Sequence, residues 1–75
     1  MKTHEEYLDE LELCILNEGS YHKPIMAAVN NKDMVLLAYI VRQYARVYPY
    51  RTKYALSAKD SMDVAKRIYE YHTTA

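Results

Sequence analysis

One stretch decides the fold: residues 23–41 read KPIMAAVNNKDMVLLAYIV. Its first part is rich in small residues, its middle is polar, and its last part is a longer apolar run. Residues 52–69, TKYALSAKDSMDVAKRIY, repeat this order about 29 residues further along the chain. Each stretch therefore predicts a short helix, a polar break and a longer helix, and stacked helix pairs of this kind bury a common core.

The residues before this stretch predict a capped amphipathic helix. Thr3 and Glu6 have the spacing of a capping box, in which each side chain accepts a backbone hydrogen bond from the other residue. The apolar residues that recur at helical spacing are Leu8, Leu11 and Ile15. We expect the helix to run to about Asn17, and Gly19, the chain's one glycine, to be the left-handed residue that ends it.

The stretch itself predicts two helices. Pro24 suits the first position of a two-turn helix that ends near Val29. Asn31 suits the N-cap of a longer helix from Lys32 to about Ala45. This third helix is apolar on every side, which predicts that it is the central and most buried element.

Two more helices are predicted beyond Pro49, which favours a loop because it lacks a backbone donor. Thr52 caps the first, which extends to about Ala58, and Asp60 or Ser61 caps the second. No stretch alternates with the period of a strand. The sequence thus predicts an all-α protein, with residues 1–75 forming one small domain of five short helices, arranged as stacked helix–turn–helix pairs or a compact helical bundle.

Composition narrows the class of function. The formal net charge is zero, which argues against binding of polyanions through bulk charge. Cys14 is the only cysteine, so no intramolecular disulfide can form and a reducing cytoplasmic location is expected. The longest apolar run is far shorter than the roughly 20 residues that span a bilayer. The N-terminal residues also lack the pattern of a signal peptide.

No residue pattern predicts chemistry. The three histidines are His4, His22 and His72, and their spacing does not resemble that of a zinc site. The sequence contains no glycine-rich phosphate loop and no nucleophile motif. We therefore expect a non-enzymatic protein with no catalytic residue, cofactor or metal.

The segment 42–54 interleaves cationic and aromatic residues and is the candidate binding site. The expected partner-binding residues are Arg42, Arg46, Tyr48, Tyr50, Arg51 and Lys53. Tyrosine and arginine are enriched at the hot spots of protein interfaces, which favours another protein as the partner. Pro49 is expected to hold its neighbours Tyr48 and Tyr50 in an extended loop outside the helical core.

Three alternatives remain open from the residues alone. The same cationic and aromatic mixture could stack on bases and contact phosphates, as in a nucleic-acid-binding module. A core this modest is often completed by a second copy, so the chain could be a self-associating structural protein or homodimer. The binding surface could also be the acidic first helix rather than the tyrosine-rich loop.

Parts of the chain resemble ankyrin repeats. The segment Lys23–Ala28 resembles the family's Thr-Pro-Leu-His-x-Ala-Ala opening, and Tyr39–Ala45 resembles its Leu-Leu-Leu-x-x-Gly-Ala ending, with Tyr44 in place of the glycine. Residues 14–19 resemble the same ending one unit earlier. The units are shorter than the family's roughly 33 residues. The resemblance implies partner binding without chemistry, and the small size suggests a regulatory or inhibitory accessory factor such as small viral or mobile-element genomes encode.

Overall fold

The computed structural model describes residues 3–48 and 56–74, and these form four helices without a strand. The helices are α1 (His4–Leu16), α2 (Gly19–Asn30), α3 (Met34–Val47) and α4 (Ala58–Thr73). The predicted all-α class is confirmed, but the predicted count of five helices is wrong. Residues 56–57 are not helical and Ala58 already belongs to α4, while residues 52–55 of the expected fourth helix lie outside the described residues.

The start of α1 follows the predicted capping box. The Glu6 backbone N–H donates to Thr3 Oγ1 at 3.2 Å, and the Thr3 N–H donates to Glu6 Oε1 at 3.3 Å. The helix ends at Leu16 with Asn17 as its C-cap. Gly19 does not end it, because Gly19 is the first residue of α2 and has no positive φ.

Helix α2 begins earlier than predicted and carries Pro24 at its sixth position instead of its first. The chain turns through only two residues after α1, and the Tyr21 N–H donates to the Glu18 carbonyl at 3.0 Å in the first turn. The helix buries one apolar side, which consists of Ile25, Ala28 and Val29. Proline by itself favours the first position of a helix. The burial of this apolar side stabilises the helix enough to accommodate Pro24 in its interior.

A left-handed residue was expected after α1, at Gly19, but the structure has one after α2, in the connection to α3. Lys32 has a φ of 54°. Asp33, and not Asn31, caps α3, since Asp33 Oδ1 accepts a hydrogen bond from the Leu36 N–H at 3.0 Å. Helix α3 therefore starts two residues later than predicted, at Met34, and continues two residues further, to Val47.

Helix α4 is capped by Ser57, whose Oγ accepts from the Asp60 N–H at 3.0 Å. The predicted caps Asp60 and Ser61 lie instead inside the first turn, where both are buried. Helix α4 packs against each of the other three helices, most extensively against α3. The apolar core joins residues of all four helices and includes Leu8, Ile15, Leu37, Tyr44 and Ile68. No helix within the described ranges is both long enough and apolar enough to cross a membrane.

Candidate functional site

The structure describes three of the six expected binding residues. Arg42 and Arg46 are exposed on α3. Tyr48 is half-buried directly after α3, and its ring centroid lies 4.8 Å from that of the core residue Tyr44. Tyr48 is therefore not a core residue, but its ring packs against the core instead of projecting away from the helices as expected, because α3 extends to Val47 and turns the ring back onto the helix. The remaining expected residues, Tyr50, Arg51 and Lys53, lie outside the described residues.

Helix α3 has a buried face and an exposed face. The buried face consists of Leu37, Ile40, Val41 and Tyr44. The opposite face consists of Val35, Tyr39, Arg42 and Arg46, spaced by four, three and four residues and all exposed. We call these four residues the α3 surface. The helix is apolar on every side, as its sequence shows, but it is not buried on every side, since Val35 is 75% exposed and Tyr39 is 58% exposed.

A shallow groove runs along one side of the α3 surface, between α3 and the first turns of α4. It encloses about 250 Å³. It is lined by Val35, Ala38, Tyr39, Arg42, Ala58, Ser61 and Met62. This volume is below the roughly 300–1,000 Å³ of typical small-molecule pockets. The groove therefore suits one or two side chains of a macromolecular partner better than a whole small ligand.

Ser61, one of the residues that line this groove, has a buried hydroxyl. The residue is only 1% exposed, and its Oγ has no hydrogen-bond partner among the described residues. Leaving a buried hydroxyl without a partner costs on the order of 1–3 kcal/mol. This local cost is typical of surfaces that serve a purpose other than stability.

The α3 surface combines apolar side chains with positive charge. Neither Arg42 nor Arg46 forms an ion pair with a described residue. Both guanidinium groups lie one to two turns from Tyr39 on the same face of α3. The surface can thus bury an apolar side chain and pair with carboxylates at the same time.

A second cavity lies between α1 and α4 and is polar. It encloses about 430 Å³. It is lined by Asp9, Glu12, Arg67, Glu70, Tyr71 and Thr74. Burial raises the pKa of Glu12, and Asp9 and Glu70 raise it further, against the opposing effect of Arg67. Arg67 itself donates to Glu5 and Asp9, so its charge serves to join α1 to α4. None of the described residues that line this cavity is a histidine, a cysteine or a serine.

The histidines link helices. His4 Nε2 donates to Asp60 Oδ1 at 2.9 Å and joins the start of α1 to the start of α4. Burial alone would raise the pKa of Asp60, but the hydrogen bonds from His4 and at Ser57 outweigh it and lower the pKa. The rings of His22 and His72 lie 6.2 Å apart, between α2 and α4. Across the part of the chain that the structure describes, no three metal-ligating side chains come together.

The sequence interpretation missed the apolar part of the α3 surface and the groove beside it. Hydropathy alone assigns Val35, Tyr39 and Met62 to the core. The sequence feature that could have indicated this surface is the presence of apolar residues on every side of α3. A helix in a small domain has too few neighbours to cover its whole circumference, so an all-round apolar helix leaves one side uncovered.

Comparison of the chain with protein-family models, with curated proteins and with solved structures found no match. Similarity therefore assigns no family. The resemblance to ankyrin repeats stays a prediction based on short motifs.

Proposed function

We propose that the chain is a small non-enzymatic protein-binding module whose α3 surface contacts the partner. The observation that carries this proposal is the exposure of Val35 and Tyr39 on a helix whose opposite side forms the centre of the core. Apolar side chains that lie together on a surface and are bordered by polar groups are typical of interaction sites. Here Arg42 and Arg46 provide that border.

The chemistry of the α3 surface favours a protein over a small ligand. Tyrosine and arginine bury a large area and still offer a polar tip, which makes them frequent anchors in protein interfaces. The adjacent groove is of a size for one or two inserted side chains. A module of this kind acts by occupying a surface of its partner, and such an action is regulatory or inhibitory in character.

A peptide-display selection tests this proposal although the partner is unidentified. Random peptides are selected on the immobilised chain, and their affinities are then measured by fluorescence anisotropy for the wild type and two variants. Tyr39→Ala removes the central ring of the α3 surface. We expect it to weaken binding at least tenfold, or about 1.4 kcal/mol.

Tyr71→Ala is the matched control. Tyr71 is 63% exposed, which is close to the exposure of Tyr39, but it lies on α4 beside the polar α1–α4 cavity. We expect this variant to bind the selected peptides as the wild type does. Peptides that respond to Tyr71→Ala and not to Tyr39→Ala would move the binding site to the acidic side of the protein and refute the proposal.

The nucleic-acid alternative has a specific basis, because Arg42 and Arg46 carry no ion pair with a described residue and lie on the same face as Tyr39. Binding dominated by phosphates weakens steeply between about 50 and 200 mM salt. Anisotropy with labelled single- and double-stranded oligonucleotides over that range separates the two functions. We expect little binding at low salt, and a tight, salt-sensitive complex would favour the alternative.

A further inference from the structure

Helix α1 carries an exposed face that complements the α3 surface. It consists of Glu6, Glu10, Leu13 and the C-cap residue Asn17, all of them exposed. Leu13 is 59% exposed and is the apolar member of this set. We call these four residues the α1 surface. Glu6 also accepts the capping hydrogen bond from the Thr3 N–H, and the neighbouring Glu5 and Asp9 pair with Arg67.

The two surfaces match in spacing when the helices run antiparallel. Along α1 the steps are four, three and four residues, and read backwards from Arg46 the α3 surface has the same steps. Superposition in this direction places Glu6 opposite Arg46 and Glu10 opposite Arg42. Leu13 then faces Tyr39, and Asn17 faces Val35. Since both helices rise about 1.5 Å per residue, the pairs stay aligned over about 16 Å.

We propose, on the basis of the function proposed above, that the protein bound by the α3 surface is a second copy of this chain, which offers its α1 surface. Each contact consists of one apolar pair, Leu13 with Tyr39, and two pairs of opposite charge, which are Glu6 with Arg46 and Glu10 with Arg42. The two surfaces differ, so the contact is heterologous and each copy keeps one α1 and one α3 surface for further copies. The product is a head-to-tail assembly.

Charge favours the head-to-tail contact over the simpler arrangement in which two α3 surfaces pair about a two-fold axis. In the same antiparallel register, Arg42 of each copy would face Tyr39 of the other and Arg46 would face Val35, so both surfaces would bring positive charge and neither would offer a carboxylate. Helix α2 offers no acidic residue at all. The exposed residues of α4 mix both signs, for example Lys66 and Glu70. Among the described helices, α1 is the one with a mainly acidic exposed face.

The small area of the contact and the exposure of its ion pairs predict a weak association. A single helix face buries less than the roughly 1,200–2,000 Å² of a stable interface. The ion pairs remain at the edge of the contact, where salt screens them. The assembly is therefore weak, dependent on concentration and weakened by salt.

Two variants that each disable one surface test the head-to-tail contact. Leu13→Glu disables the α1 surface, and Tyr39→Glu disables the α3 surface; both positions are exposed, so the fold is retained. In sedimentation velocity at up to about 1 mM protein, the wild type should form species larger than a dimer, while each variant alone should remain monomeric. An equimolar mixture should stop at a one-to-one complex, because only one native contact can form and the other would bring two glutamates together.

A charge exchange provides the rescue. Arg42→Glu alone should abolish association by placing a second carboxylate opposite Glu10, and the addition of Glu10→Arg to the same chain should restore it. The inference is overturned if the wild type is monomeric throughout, or if Tyr39→Glu blocks association but Leu13→Glu does not. A monomeric wild type whose selected peptides still depend on Tyr39 would overturn this inference and leave the proposed protein-binding function intact.

Discussion

Two serines at the start of α4, the N-cap Ser57 and Ser61 one turn later, should respond in opposite ways to the same substitution. Ser57 caps the helix through the Asp60 N–H, whereas the Ser61 Oγ is buried without a partner among the described residues. Replacing either serine with alanine removes one oxygen atom and nothing else. The pair therefore isolates the effect of the hydrogen bond from the effect of the change in size.

The expected magnitudes follow from the two environments. Ser57→Ala removes the cap and should cost about 0.5–2 kcal/mol. Ser61→Ala removes a hydroxyl whose burial costs about 1–3 kcal/mol. The alanine also has a higher helix propensity by up to about 0.7 kcal/mol. A small loss of packing offsets part of this gain, so we expect Ser61→Ala to stabilise the fold by about 1–2 kcal/mol.

Urea unfolding followed by far-ultraviolet circular dichroism measures both free energies of unfolding. In thermal unfolding, each kcal/mol should move the midpoint by about 4–8 °C in a domain of this size. A clear destabilisation by Ser61→Ala would refute the reasoning, because it would show that the hydroxyl makes a stabilising hydrogen bond. Equal losses for the two variants would show that the shared change in size, and not hydrogen bonding, decides the outcome.

Three further perturbations have expected outcomes. Leu37→Ala should lower the free energy of unfolding by about 2–5 kcal/mol, while Val35→Ala on the exposed face of the same helix should change it by no more than about 0.5 kcal/mol; equal effects in urea unfolding would contradict the two-faced description of α3. Pro24→Ala should stabilise the fold by about 2 kcal/mol, since an interior proline costs roughly 3 kcal/mol and the greater freedom of the unfolded alanine chain offsets about 0.4–1 kcal/mol; an unchanged urea midpoint would show that α2 accommodates this proline without cost. Burial and the nearby His22 lower the pKa of His72 from its usual 6.5, so as the pH falls through that value the unfolded chain takes up a proton that the folded chain does not bind. Stability should therefore fall as the pH drops through about 6.5, and His72→Gln should reduce that loss; a variant with the wild-type pH profile would show that another group titrates.

The features that could be predicted from the sequence depend on residues close together in the chain. The Thr3 capping box spans four residues, and its hydrogen bonds form as predicted. The burial of Leu8, Leu11 and Ile15 follows in the same way from helical spacing. In each case the local pattern and the tertiary packing favour the same structure.

The features that could not be predicted depend on packing between distant segments. Gly19 and Pro24 are signals for a helix end and a helix start, yet both lie within α2 because the packing of its apolar side outweighs those preferences. The boundaries of α3 differ from the predicted ones because Asp33 provides the cap two residues beyond Asn31. Local preferences of about 1–3 kcal/mol per residue are outweighed by the packing of whole helices, so they do not decide where a helix begins or ends.

The candidate site was predicted only in part for the same reason. Arg42 and Arg46 are exposed, as their charge favours in any packing arrangement, and their role in binding stays a prediction. Val35 and Tyr39 could not be separated from Leu37 and Ile40 by composition. Which apolar side of α3 faces solvent is determined by the positions of α2 and α4, and these are set by contacts that no short window of sequence contains.

The position of α4 at the centre of the packing has a consequence for synthesis on the ribosome. This helix contacts the other three, but it is the last of the described helices in chain order. At roughly 5–20 residues per second, the interval between translation of α1 and translation of α4 is about 3–10 seconds. During that interval the apolar side of α1 lacks the helix that later covers it. Folding of this domain is therefore completed only after its final helix has left the exit tunnel.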